Sequence, residues 1–337
     1  MDIGNIKDKI AITGVLIVRV ASVRTAKNGS QFLNIDLEDI RGNTINAKKW
    51  DWDSAYTLPK PGEIVKVSGK GNMFKERMQF QIDQLCVIES DPTSEEDRSQ
   101  QTELDAIRKK AKSMQAECEA KYNHLPRLLD DIENTVAHFE NDSIRKIVSA
   151  LIQEAKANEQ LVNAPAAQML HHAERGGLLH HITTMLKMGR AVLDVYTHLD
   201  SDLLLAGIII HDLGKLKEFS FDENGSVSDY TNEGKLIGHL VRGAMDIERI
   251  AKEVNASSEK AMLLQHLVLS HHGRLEFGSP VLPKIPEAEV LSQLDLLDAR
   301  IFQMRAALEP VKDGSFSERM WALDNRELYK MSSDEVS

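Results

Sequence analysis

Two hydrophobic rhythms divide the chain. From residue 10 to about residue 90, apolar and polar positions alternate in short runs rich in β-branched residues. That is the period of strands with one buried face. IAITGVLIVRVASVRT opens the series, Asn28-Gly29 makes a hairpin turn, and QFLNIDLEDI alternates again. Arg41-Gly42-Asn43 turns the chain into TINAKKW. Pro59 and Pro61 precede GEIVKVSGKGNMF, and a turn at Lys75–Arg77 leads to MQFQIDQLCVIE.

Five short strands with glycine turns predict a small closed barrel, of which the OB-fold is the common binding form. Residues 90–103, SDPTSEEDRSQQTE, have no apolar period and read as an acidic linker. A charged, exposed helix is expected over 104–122. From about 125 the period is helical throughout. Asp142 or Ser143 is expected to cap SIRKIVSALIQEAKA, Gly176-Gly177 to open LLHHITTMLKMGRAVLDVY, and Ser201 to cap DLLLAGIIIHDLGK. EFSFDENGSVSDYT reads as a hairpin turning at Asn224-Gly225. Further helices are expected near 235–255, 258–272 and 287–309. The predicted fold is therefore a β-barrel over 1–90, a linker and connecting helix over 91–124, an all-α domain over 125–312 and a tail over 313–337.

The chemistry sits in the helical part. His211-Asp212 ends the apolar run of GIIIHDLGK, where an uncompensated carboxylate would be costly and a metal is one efficient compensation. His181, His239, His271, His272 and Asp295 complete a set of imidazoles and carboxylates of the kind that hold divalent metals beside a water. Such a centre lowers the pKa of water and neutralises phosphate oxygens, which points to phosphoester hydrolysis. Lys215, one turn beyond His211, is placed to reach a phosphate. The donor set suits Mn²⁺ first, or Fe²⁺, Co²⁺ or Zn²⁺, better than Mg²⁺.

Charge changes the picture for the barrel. The chain carries a net charge of −11, yet residues 1–90 hold 13 Lys/Arg and 11 Asp/Glu. A slightly basic module on an acidic body fits modest binding to a phosphate backbone. Lys48, Lys49, Trp50 and Trp52 combine cations with rings, the mixture a single-strand site needs. Trp50 is the leading candidate. Lys66, Lys70, Lys75 and Arg77 extend the path, while Phe32 and Phe80 read as core. Only Cys86 and Cys118 are present, so no disulfide framework forms and a cytoplasmic setting is expected. No apolar run has membrane-spanning length.

The order His181, His211-Asp212, Asp295 resembles the HD superfamily of metal-dependent phosphohydrolases, an all-helical fold. His239 and His271-His272 resemble its two-metal members. With the barrel in front, the chain resembles the YhaM family of 3′→5′ exoribonucleases. NGSQFLNIDLED, AKKWD and KPGEIVKVSGKGN carry the likeness in the barrel; HHAERGGLLHHI, HDLGKLKEF, GHLVRG, LSHHGRLEFGSP and QLDLLDAR carry it beyond. The resemblance implies one metal held by His181, His211, Asp212 and Asp295. It implies a second held by His239, His271 and His272, with Asp212 bridging. It also implies Lys215 on the scissile phosphate, Asp298 behind a ligand, and His172 near the pocket, with Arg175 as a phosphate clamp. The family pattern GGLLEH has Glu where this chain has His180, which is read as a surface residue.

The activity so implied is removal of 5′-mononucleotides from the 3′ end of single-stranded RNA, or DNA. Two other readings stay open. One is an HD enzyme for a cyclic dinucleotide, nucleotide or cyclic phosphate; the other is a non-catalytic nucleic-acid-binding adaptor. Oligomeric state, a homo-oligomer included, is left open.

Overall fold

The computed structural model describes residues 1–26, 29–53, 56–74, 77–88, 101–157, 160–167, 175–221, 225 and 227–332. Two compact units divide after His124: Met1–His124 and Leu125–Ser337. The turn residues Asn28, Lys75 and Asn224, His171 and His172, and most of the acidic linker lie outside the described residues.

In the first unit, β1 (Ala11–Thr25), β2 (Gln31–Glu38), β3 (Thr44–Trp50), β4 (Ile64–Phe74) and β5 (Arg77–Val87) form a closed barrel in the order β1-β2-β3-β5-β4. Closure rests on the length of β1. Residues 11–17 pair antiparallel with β4, and residues 17–25 pair antiparallel with β2. A register shift between Val18 and Val20 bends the strand from one partner to the other. The parallel pairing of β3 with β5, through Ala47 and Phe80, seals the last seam. This is the expected OB architecture. Alternation puts Leu33, Ile35, Leu37, Ile45, Ala47, Val65, Val67 and Phe80 inside.

Three expectations change in this unit. Helix α1 (Gln101–Tyr122) is not wholly exposed: Ile107 and Ala111 are buried against Ile17, with Met114 beside them. Lys110 fixes the helix by pairing with Glu38 at 2.6 Å and donating to the Asp39 carbonyl at 2.7 Å. Trp52 is a core residue, buried with Leu33 and Phe80. Phe32 lies outside the barrel core: it alternates with buried Leu33 and stacks on Trp50 instead.

The second unit is helical: α2 (Leu125–Ala137), α3 (Asp142–Lys156), α4 (Gln160–Asn163), α5 (Gly177–Val195), α6 (Ser201–Ile210), α7 (Lys215–Glu218), α8 (Asn232–Leu236), α9 (Gly238–Glu253), α10 (Ser258–Ser270) and α11 (Pro286–Leu308). A short hairpin of β6 (Phe219–Phe221) and β7 (Val227–Tyr230) interrupts the series. Helix α6 is the axis; it packs against α3, α5, α10 and α11, which explains why SDLLLAGIII is apolar on nearly every side. The caps differ by one or two residues from expectation. Asn141 accepts from the Ile144 amide to cap α3, and Asp200 accepts from the Leu203 amide to cap α6. Both are short carboxylate or amide side chains just before the first turn, as N-caps favour.

Candidate metal centre

Five elements bring the sequence-predicted ligands to one place. His181 is mid-helix on α5, His211 closes α6, and Asp212 begins the turn into α7. His239 is the second residue of α9, His271 and His272 follow α10, and Asp295 lies on α11. Two glycines permit this. A Cβ on Gly214 would stand 2.4 Å from the His239 carbonyl oxygen, so only glycine lets the turn after Asp212 approach the start of α9. Gly238 has φ +74°, a region that favours glycine, and turns the chain from α8 into α9 just before His239.

The Asp212 carboxylate sits between two groups of rings. Its Oδ2 lies 3.4 Å from His211 Nε2 and 3.9 Å from His181 Nε2. Its Oδ1 lies 3.6 Å from both His239 Nε2 and His271 Nε2. Asp295 Oδ1 is 3.3 Å from His181 Nε2, and the His181 and His211 Nε2 atoms are 3.2 Å apart. Ligand atoms of His239, His271 and His272 lie close enough to share one ion, as do those of His181, His211 and Asp212, and of His211, His271 and Asp295.

All five rings are held through Nδ1, leaving Nε2 facing inward. His211 Nδ1 meets the Ile208 carbonyl at 2.9 Å, His271 Nδ1 the Val268 carbonyl at 2.8 Å, and His272 Nδ1 the Phe277 carbonyl at 2.9 Å. A carbonyl only accepts, so in these three Nδ1 carries the proton and, in the neutral ring, Nε2 a lone pair. His181 and His239 meet carboxylates instead: Asp298 at 2.7 Å and Glu218 at 3.0 Å. Asp298 is the residue expected behind a ligand; Glu218 was not singled out in the sequence. Its signal was there in HDLGKLKEF, three residues after Lys215 on the same face of α7.

Burial and partners set the charges. Burial lowers the pKa of His271 to about 4, so that ring is neutral at pH 7. Burial also opposes charge on His181, but hydrogen bonds to Asp295 and Asp298 outweigh it and raise that pKa to about 9. Burial works against ionisation of Asp212 as well. The charges of Lys215 and His211 overcome it and hold the carboxylate well below its usual range. Lys215 donates to Asp212 Oδ2 at 2.7 Å and to the Ala166 carbonyl at 2.8 Å.

The fit to a cation follows from what lacks a partner. Asp212 Oδ1, His239 Nε2 and His271 Nε2 are buried with no hydrogen-bond partner among the described residues. An ionised carboxylate oxygen only accepts, and the neutral His271 offers a second acceptor at 3.6 Å, too far for a hydrogen bond. Buried acceptors facing one another fit a metal ion.

The expected substrate-binding residues are placed unequally. Lys48 Nζ lies 5.7 Å from the Phe32 ring centre and 6.0 Å from that of Trp50, and the two rings are 4.7 Å apart. Trp50 is 43% exposed, enough to present a ring face. Lys49 points elsewhere and donates to the Asp83 carbonyl at 3.2 Å. Arg175 donates to Asn163 Oδ1 at 2.9 Å. His180, read as a surface residue, is half-buried. No helix among the described residues is long and apolar enough to cross a membrane.

The chain is similar to several known proteins. The HD domain family model matches residues 177–300, the stretch from the start of α5 to α11. The chain is 37% identical over 325 residues to the 3′-5′ exoribonuclease YhaM of Oceanobacillus iheyensis, covering 96% of this chain and 94% of that protein. It is 36% identical over 317 residues to YhaM of Bacillus subtilis, covering 94% and 93%. Among solved structures, the second OB-fold domain of replication protein A from Methanococcus maripaludis is 21% identical. It covers 27% of this chain and 97% of that one, with a TM-score of 0.23. Whole-length similarity to the exoribonucleases, with the HD model over the helices that carry the histidine and aspartate cluster, means that the chain belongs to the YhaM family of 3′→5′ exoribonucleases.

Proposed function

We propose that the chain is a metal-dependent hydrolase that shortens single-stranded RNA from its 3′ end and releases 5′-mononucleotides. The observation that carries the reading is the Asp212 carboxylate, with one oxygen toward His181 and His211 and the other toward His239 and His271. In this reading the site takes two divalent ions, with Mn²⁺ as the first choice. His181, His211, Asp212 and Asp295 hold one; His239, His271, His272 and Asp212 hold the other. Such ions, when bound, supply Lewis acidity at the phosphate and a water acidic enough to ionise near neutral pH.

The chain's own groups do the rest. Asp295 and Asp298 grip both nitrogens of His181 and fix the plane of that ring. Lys215 is already charged and pinned at the rim by Ala166 and Asp212. When a phosphodiester enters, its ammonium neutralises a non-bridging oxygen and opposes the charge that builds in the transition state. In this reading Arg175, and His172 outside the described residues, contact the nucleotide backbone. In the barrel, Phe32, Trp50 and Lys48 form a stacking surface with its own cation, suited to bases of any sequence. Lys49, turned to Asp83, is the weaker contact. Polarity rests on the family, and in this reading the enzyme works in the cytoplasm.

The test is a metal assay of the purified protein with turnover of a single-stranded RNA labelled at its 5′ end. The reading expects a ladder shortening from the 3′ end, loss of activity with chelator and recovery with Mn²⁺. Hydrolysis of cyclic dinucleotides with no action on the RNA would sink it.

A further inference from the structure

Each half of the metal centre contains one ring backed by a carboxylate. His181 leans on Asp298, and His239 on Glu218. The other rings lean on helix carbonyls, which side-chain substitution leaves in place. Glu218 is therefore a side chain on which the orientation of a whole ligand depends.

Its position is fixed from several sides. Glu218 is buried at the end of α7 and its carbonyl accepts from the Thr231 amide at 2.9 Å. Gly234 packs so tightly against that carbonyl that a Cβ would lie 2.3 Å from it. Glu218 Oε1 accepts from the His239 backbone N–H at 3.2 Å and from ring Nδ1 at 3.1 Å. The first turn of α9 has no cap from its own N-cap residue, Ile237. One carboxylate thus caps the helix and turns the ring at its second residue.

We propose that Glu218 sets the tautomer of His239 and so keeps the second ion's site open. An ionised carboxylate only accepts, so it holds the proton on Nδ1 and leaves the Nε2 lone pair facing Asp212. Without it, the ring can carry the proton on Nε2 and donate to Asp212 Oδ1, now 3.6 Å away and without a partner. That hydrogen bond would join two ligands to each other and shut the ion out. Glu218 is a positioning residue, and this role rests on the two-ion reading above.

The test uses the full chain, metal-free, as wild type, Glu218→Gln and Glu218→Ala. Imidazole ¹⁵N shifts report the His239 tautomer, and calorimetric titration with Mn²⁺ reports each ion. In Glu218→Ala the ring should move to the Nε2–H form. One ion should weaken about 10–100-fold, the usual cost of losing such a partner, and the other should keep its affinity. Glu218→Gln keeps an acceptor without the charge and should fall between. If Glu218→Ala does not fold, Glu218→Gln decides by the same two measurements. Combined with His239→Ala, Glu218→Ala should add little. An unchanged tautomer with both affinities intact overturns the proposal. So does equal weakening of both ions, which would mean that Glu218 merely supports the fold. A single ion in the wild type defeats the two-ion reading on its own, while the tautomer still reports on Glu218.

Discussion

The barrel face and the candidate metal centre are built in opposite ways. The centre is buried, and its groups constrain one another: Asp212 alone lies within 4 Å of His181, His211, Lys215, His239 and His271. The barrel face is exposed and sparse, two rings and one cation on neighbouring strands. A site that does chemistry on one phosphate needs atoms fixed in place. A site that holds any strand needs only flat surface and positive charge. Substitutions should therefore be severe and specific in the first region, graded and salt-dependent in the second.

The largest effect is expected at Asp212. Asp212→Ala should abolish hydrolysis and lower metal content while single-strand binding survives, checked by turnover, metal analysis and a binding titration. Near-normal turnover in a folded variant would remove Asp212 from the mechanism. His239→Ala or His271→Ala should cost one ion of two, read by anomalous scattering from a metal-replete crystal. The barrel then offers an internal contrast between neighbours. Trp52→Ala should destabilise by about 3–5 kcal/mol, as loss of a buried aromatic does, seen as a drop in the barrel's unfolding midpoint. Trp50→Ala should leave that midpoint nearly unchanged and weaken strand binding by roughly 1–3 kcal/mol. Its KM should rise on long oligonucleotides and not on a dinucleotide. Equal loss on both substrates would mean that Trp50 supports the fold.

The smallest effect concerns pH. His181 titrates near 9 in the metal-free protein, against 6.5 for an ordinary imidazole. A raised pKa means that protonation stabilises the fold. That contribution is complete below 6.5 and is lost as pH climbs through about 9. The metal-free protein should lose stability across that window. Metal uptake near pH 7.5 should release close to one proton from this ring, measured by calorimetry in buffers of differing ionisation enthalpy.

What the sequence disclosed follows the same division. His181, His211, Asp212, His239, His271, His272 and Asp295 stood out as candidate ligands because metal coordination restricts residue type, and the fold brings them together. The five strands were legible from their alternation. Alternation names two faces without saying which one closes inward at a strand's end, so Trp52 and Phe32 exchanged roles. Helix α1 looked solvated because, among the described residues, Ile107, Ala111 and Met114 are sparse marks of its buried side. Glu218 was missed for a simpler reason: its one local signal, the spacing from Lys215 in HDLGKLKEF, does not name the histidine 21 positions later that it meets.

The ligands arrive in the order 181, 211, 212, 239, 271, 272 and 295, on helices from α5 to α11. During synthesis, a chain that has reached only α10 owns most of the histidines but not Asp295, and His181 lacks both carboxylates that hold it. Such a chain has every strand of its barrel and an incomplete cluster. A product truncated before α11 should therefore keep the barrel while lacking Asp295 and Asp298.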